Sequence, residues 1–190
     1  MLRGVALVGP PGAGKTVLLK LAGGLVAPSD GQIVVRGSVA PALAVMATVL
    51  PSRGHSVKAA LPQLAAMVGI PPHRVRGRFD AIVDLMGSPQ LLKSSTSLME
   101  ARRKRELILA MALALEPEIL LLDMTIPRTP FGQRCVQRVA ELRARGSLVV
   151  AEARNLHRLP VVPDRVVLLE QGRLLDDLDG SVAMGSVDSP

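Results

Sequence analysis

Eight residues near the start of the chain have the types and spacing that bind phosphate. They fit the pattern G-x-x-x-x-G-K-[ST] and are Gly9, Pro10, Pro11, Gly12, Ala13, Gly14, Lys15 and Thr16. In such a loop the glycines let backbone N–H groups turn inward around phosphate oxygens, and the N-terminus of the following helix adds partial positive charge. The pattern predicts that Lys15 reaches the β- and γ-phosphates and that Thr16 ligates Mg²⁺.

A glycine-rich turn before a helix is the simpler alternative for these residues. The loop, however, follows a short apolar run at 5–8 and precedes a helical pattern that begins at Thr16 and runs to the glycines at 23–24. This is the strand–loop–helix context that the phosphate motif requires, and it favours phosphate binding.

A carboxylate at the end of another apolar run is the second candidate. Residues 119–122 are four apolar residues and predict a buried strand, and Asp123 follows directly. In α/β proteins, ligands bind at the carboxyl ends of the strands. We therefore expect Asp123 to lie near the phosphate loop, with its strand beside the strand over 2–8.

The remaining pattern alternates strands and helices, which predicts an α/β fold. Further strands are predicted over 33–35 and 148–151, followed by a hairpin over 164–174 in which Gln171 and Gly172 form the turn. Helices are predicted over 57–68, 79–86, 100–115 and 132–145.

Composition narrows the possible partners. The chain has 190 residues, enough for one compact α/β domain, and its longest apolar run is too short to span a bilayer. The net charge of +7 could serve nucleic acid, an anionic membrane face or nucleotide, but aromatic residues make up only 1%. Because binders of single strands usually stack bases on aromatic rings, we expect no nucleic-acid partner. The single cysteine, Cys135, is expected to be a buried small hydrophobe.

Three stretches resemble the ATPases of ABC transporters. They are the phosphate loop with its continuation to residue 37, the run from Glu116 to Asp123, and the hairpin region 164–174. The resemblance extends over roughly residues 3–178. It implies ATP and Mg²⁺ as cofactors, with Asp123 and Thr16 holding the metal.

The resemblance also implies an architecture and partners. It implies a P-loop NTPase with a mostly parallel core sheet flanked by helices, in one domain over 1–180 with a helical subdomain at about 56–105 and a loose tail at 181–190. Compared with the family, the N-terminal β-subdomain is expected to be truncated. The implied partners are a membrane-spanning permease and a second ATPase subunit, as homodimer or heterodimer, at the cytoplasmic face of the plasma membrane.

Two short elements are similar to the capsular-polysaccharide and O-antigen exporter branch. One is the segment 131–135, which contains Phe131 and Cys135, and the other is the segment 50–54. Export of a polysaccharide is therefore the expected function within the family.

The positions that carry hydrolysis in the family are substituted. Met124 stands at the position of the catalytic glutamate, Glu100 and Ala101 stand at the signature serine and glycine, and Ala153 stands at the switch histidine. A neighbouring register would place the signature at 97–99 but needs a gap, and the signature glycine is missing there too. His157 is interpreted as an ordinary surface histidine. We expect ATP to bind and its hydrolysis to be very slow.

Two other functions remain open from the sequence. One is a regulatory or structural P-loop protein that binds nucleotide without turnover, and the other is a small-molecule kinase. The flanks of the phosphate loop disfavour the kinase. The basic run 102–105 could contact phosphate or acidic lipid, although a solvated helix face is the favoured interpretation.

Overall fold

The six described strands form a single sheet. The computed structural model describes residues 3–51, 55–123, 126–153, 159 and 162–181. The strands are β1 (Gly4–Val8), β2 (Val39–Ala42), β3 (Ile119–Leu122), β4 (Leu148–Ala153), β5 (Arg165–Glu170) and β6 (Arg173–Asp179), in the spatial order β2-β3-β4-β1-β5-β6. Strands β1 to β5 pair in parallel and β6 is antiparallel to β5. The predicted mostly parallel sheet with a final hairpin is confirmed.

Helices follow the predicted segments closely. They are α1 (Lys15–Ala22), α2 (Ala44–Thr48), α3 (Val57–Met67), α4 (Pro72–Arg76), α5 (Phe79–Met86), α6 (Ala101–Ala114) and α7 (Pro130–Ala144), with a 3₁₀ turn at Leu91–Lys93. Helix α3 continues through Pro62, which is buried, as are Leu61 and Leu64 beside it. Burial of this apolar face offsets the backbone hydrogen bond that proline cannot donate.

Helix α6 is the centre of the core. Every side chain from Glu106 to Ala114 is buried, because α6 packs against α2, α5, α7 and strand β2. A helical stretch that is buried on all sides, as 106–114 is, belongs in the interior of a domain. The core thereby joins the helical segment 57–114 to the edge of the sheet that β2 and β3 form.

The predicted neighbour of β1 was wrong. Strand β4, not β3, lies beside β1, with Ala6 opposite Ala151, and β4 also pairs with β3, where Leu122 is opposite Ala151. Strand β4 pairs with both β1 and β3 and so lies between them. The local sequence of β1 and of β3 does not indicate which strand separates them. The carboxyl ends of β3, β4 and β1 all meet at the same edge, as the prediction required.

The prediction of a strand over 33–35 was also wrong. Residues 33–35 do not form a strand: Ile33 and Val34 are 40% and 67% exposed and pair with no strand in the described part of the chain. Strand β2 (Val39–Ala42), for which no strand was predicted, joins the sheet a few residues later. Pro41 is tolerated within β2 because this strand lies at the edge, where a missing N–H breaks no ladder.

Candidate functional site

The loop between β1 and α1 has the backbone that phosphate binding needs. Gly9, Gly12 and Gly14 adopt positive φ angles of 154°, 81° and 98°, which side-chain-bearing residues rarely adopt. Helix α1 begins directly after Gly14, at Lys15, so its N-terminus opens onto the loop. A loop of this shape places several backbone N–H groups at the positive end of a helix, where an anion is stabilised.

Lys15 places its ammonium within this loop. Its side chain is 4% exposed, and Nζ donates hydrogen bonds to the carbonyl oxygens of Gly9 at 2.7 Å and Pro10 at 2.9 Å. A buried charge is stabilised only when it is hydrogen-bonded in this way. The cation is therefore already beside the loop backbone, where phosphate oxygens can take the place of the two carbonyls.

The β5–β6 hairpin supports the loop from the other side. The N–H of Gly172 donates to the carbonyl of Ala13 at 3.0 Å, and a Cβ on Gly14 would lie 3.4 Å from the Cα of Gly172. The hairpin, which the sequence predicted only as a separate element, thus contacts the phosphate loop directly.

Asp123 lies at the same edge of the sheet, one residue after β3. Its Oδ1 accepts a hydrogen bond of 2.6 Å from the N–H of Ala44, which begins α2. Burial raises the pKa of Asp123, the Ala44 hydrogen bond opposes this, and the negative charge of Glu152 raises it further. Asp123 therefore shares its surroundings with a second carboxylate.

That second carboxylate, Glu152, was not predicted from the sequence. It is the fifth residue of β4, and its Oε2 accepts a 2.6 Å hydrogen bond from the hydroxyl of Thr16. The signal was available, because a lone acid near the carboxyl end of an apolar parallel strand lies where α/β ligands bind. The hydroxyl of Thr16 and the carboxylates of Glu152 and Asp123 therefore belong to the same side of the site.

Thr16 and Asp123 fit a divalent cation. A hydroxyl and a carboxylate at the mouth of a phosphate loop are hard oxygen donors, the class that Mg²⁺ prefers, and Mg²⁺ commonly takes one or two protein ligands plus phosphates. When bound, the ion would neutralise charge on the β- and γ-phosphates. The donor set of the chain is therefore chemically suited to a nucleotide bound with Mg²⁺.

Comparison with known proteins agrees with this geometry. A family model described as "ABC transporter" matches residues 3–126. The chain belongs to the ABC transporter family as an ATP-binding domain.

This ABC domain is similar to the ATP-binding proteins of two different transporters and to a solved structure. It is 24% identical over 172 residues to the O-antigen export system ATP-binding protein RfbB of Klebsiella pneumoniae, covering 90% of this chain and 69% of that one. It is 31% identical over 171 residues to the zinc import ATP-binding protein ZnuC of Jannaschia sp., covering 87% and 67%. The structure titled "Structure of ATP binding subunit of ABC transporter" matches with a TM-score of 0.74 at 19% identity, covering 96% of this chain and 81% of that one.

Three of the substituted positions of the ABC domain, 100, 101 and 153, lie within the described residues. Ala153 ends β4, opposite Val8, and is 6% exposed, so its methyl group can neither donate nor accept a proton. Met124 and His157 lie outside the described residues. Glu100 is the residue before α6 and Ala101 is the first residue of that helix.

The basic run of the ABC domain lies at the start of α6. Arg102 and Arg103 each contact Glu106, both at 3.1 Å, and Arg103 also donates to the carbonyl of Met86. Such pairing within one helix supports the interpretation of a structural helix face. In the part of the chain that the structure describes, every helix is too short or too polar to cross a bilayer.

Proposed function

We propose that this domain is the ATP-binding subunit of a polysaccharide exporter of the capsule or O-antigen type. It would bind ATP with Mg²⁺ through the phosphate loop and Asp123, and hydrolyse it slowly. The observation that carries the nucleotide site is the buried ammonium of Lys15 held inside a loop of positive-φ glycines. Among the residues that the structure describes, the hydrogen bonds of Lys15 go to carbonyl oxygens and not to carboxylates, and such a buried lysine is suited to receive an anion.

Three roles follow for the residues of the chain. Lys15 would bind the terminal phosphates as a point charge, the loop N–H groups would donate hydrogen bonds to the phosphate oxygens, and Thr16 and Asp123 would hold the metal. The composite arrangement orients the nucleotide and offsets its charge. It supplies no group at position 153 that could stabilise the γ-phosphate during hydrolysis.

The export substrate is supported by the similarity to RfbB and by the segment 131–135. In the structure, Phe131 and Cys135 are buried in α7, so both act as packing residues of this helix. Zinc import is the second candidate, because the chain is 31% identical to ZnuC and 24% identical to RfbB. In either case we propose a membrane-spanning permease and a second ATPase subunit as partners, which would place the domain at the cytoplasmic face of a membrane.

The nucleotide site is tested by calorimetric titration of ATP with Mg²⁺ into the wild type, Lys15→Ala and Lys58→Ala. Lys58 is an exposed lysine of α3 and controls for loss of one positive charge. We expect Lys15→Ala to weaken binding by about 1.5–3 kcal/mol, the contribution of a charge-assisted hydrogen bond, and Lys58→Ala to leave it unchanged. Equal ATP affinity in all three proteins would overturn the proposal.

The substrate class is tested by reconstitution. Purified domain is added to proteoliposomes that contain a polysaccharide-export permease or a zinc-import permease, and retention on the vesicles is measured with ATP. Retention by the export permease alone supports the proposal. Retention by the zinc permease alone would reassign the substrate.

A further inference from the structure

The Thr16 hydroxyl and Asp123 have separate hydrogen-bond partners. Thr16 Oγ1 donates to Glu152 Oε2 at 2.6 Å, while Asp123 Oδ1 accepts from the N–H of Ala44 at 2.6 Å. A hydroxyl oxygen carries one proton and two lone pairs. Because the Thr16 hydroxyl directs its proton toward Glu152 in this hydrogen bond, the lone pairs of its oxygen can face another partner.

The sheet fixes Glu152 between the two elements that form the site. Strand β4 pairs with β1, where Leu7 is opposite Glu152, and with β3, where Leu122 is opposite Ala151. Asp123 follows Leu122 just as Glu152 follows Ala151, so the two acids lie at the same level near the carboxyl ends of neighbouring parallel strands. This register does not depend on side-chain rotamers.

Two carboxylates therefore share one edge beside an incoming phosphate. The ammonium of Lys15 is directed to the carbonyl oxygens of Gly9 and Pro10, and the charge of Lys20 acts on Asp123 in the opposite sense to that of Glu152. Like charges on the same side of a site repel one another and would also repel phosphate. A divalent cation between the carboxylates and the phosphate loop would offset both repulsions.

We propose that Glu152 is a positioning residue of the metal site, and that with it the domain binds a divalent cation before nucleotide arrives. Glu152 accepts the hydrogen bond of the Thr16 hydroxyl, and this orients the lone pairs of the Thr16 oxygen toward the cation. Glu152 also adds a second negative charge beside Asp123. Partners that orient a ligand in this way contribute strongly to metal affinity. The inference rests on the proposed function, because it concerns the metal of the same nucleotide site.

The test measures Mn²⁺ binding without nucleotide, by loss of the electron paramagnetic resonance signal of free Mn²⁺. The proteins are the wild type, Glu152→Gln, Glu152→Ala and Asp84→Asn. Asp84 is an exposed acid of α5 and controls for the loss of one negative charge. We expect saturable binding by the wild type and by Asp84→Asn, and an affinity about 10–100-fold weaker in both Glu152 variants. Glu152→Gln retains a carbonyl oxygen that accepts the Thr16 proton, so it should lose less than Glu152→Ala.

Two results would overturn the inference. One is wild-type affinity for Mn²⁺ in both Glu152 variants, and the other is a wild type that binds no Mn²⁺ without nucleotide. Circular dichroism of each variant shows whether it is folded, and the isosteric Glu152→Gln decides the question if Glu152→Ala is not. ATP titration of the same preparations separates the two proposals. Mn²⁺ binding that depends on Glu152 without ATP binding overturns the proposed function alone, and ATP binding with Mn²⁺ affinity independent of Glu152 overturns this inference alone.

Discussion

Gly9 lies directly against the backbone of Leu169. A Cβ built on Gly9 would come within 2.0 Å of the Leu169 carbonyl oxygen, and 3.1 Å from the Cβ of Ala13. The phosphate loop and strand β5 are therefore in backbone contact at a position where only glycine fits. The glycine that begins the motif has a packing role toward β5 as well as a role toward phosphate.

We predict that Gly9→Ala destabilises the domain and abolishes ATP binding. The added methyl group must displace either β5 or the loop, which costs about 1–3 kcal/mol or more, as overpacking does. Gly24→Ala is the matched control: Gly24 has a φ of 69° and nothing within 4 Å of an added Cβ, so this variant carries backbone strain without a clash. Thermal unfolding should show a larger loss for Gly9→Ala. Equal melting temperatures for the two variants would contradict the prediction.

Glu116 joins two helical regions through three arginines. It accepts from Arg78 at 2.8 Å and from Arg145 at 3.1 Å, and it also pairs with Arg138. The hydrogen bond from Arg138 is the largest cause that lowers the pKa of Glu116 below its ordinary value of 4.5, and the charges of the three arginines lower it further. Since the carboxyl is partly exposed, its contribution is moderated by solvent.

We predict that Glu116→Gln lowers the free energy of unfolding by about 1 kcal/mol at neutral pH. A carboxyl whose folded-state pKa is lowered stabilises the fold above its unfolded-state pKa, and this stabilisation is lost as the pH falls through the folded-state value. The difference between wild type and variant in urea unfolding should therefore shrink as the pH is taken below 4.5. A difference that stays constant through this range would show that the charge of Glu116 does not matter.

Cys135 is buried in α7, as the sequence predicted. It is 0% exposed, and burial raises the pKa of its thiol to about 12. At pH 8 about one molecule in ten thousand would carry the reactive thiolate, by the ordinary titration relation. We predict no reaction with Ellman's reagent in the native protein and one equivalent in denaturant, with Cys135→Ala as the blank. Complete modification of the native protein within minutes would show that the thiol is accessible.

Local patterns predicted the phosphate loop and the strands and helices around it. The motif at 9–16 and the acid after 119–122 are both defined by neighbours in sequence, and the structure places both at the carboxyl edge of the sheet. Apolar spacing also predicted α5 with its observed bounds, because its amphipathic face is complete within eight residues.

Features that depend on distant parts of the chain were not predicted. Thr16 and Glu152 are separated by 136 positions, so no local spacing connects them. The place of β4 between β1 and β3 is likewise set by pairing across the whole sheet. Residues 33–35 have strand composition, but a strand also needs a partner, and composition does not say whether one is present.

We expect very slow hydrolysis by the purified domain, although ATP binds. Phosphoryl transfer requires a group that orients the attacking water and groups that stabilise charge on the γ-phosphate. Met124 can accept no proton, and the buried methyl group of Ala153 can donate none. Loss of one such group commonly costs about 10²–10³ in rate, and several losses do not simply add.

Phosphate release by the wild type, Met124→Glu and Lys15→Ala provides the measurement. Lys15→Ala gives the background from contaminating ATPases, because it removes the phosphate contact. We expect the wild type to lie close to this background and Met124→Glu to exceed it, since a carboxylate is restored where the family has one. Dimerisation of the domain would not raise the wild-type rate, because both copies carry the same substitutions, whereas a partner ATPase with an intact signature would. A wild-type turnover near 1 s⁻¹, at the low end of ordinary enzyme rates, would show that another residue of this chain performs the catalytic role.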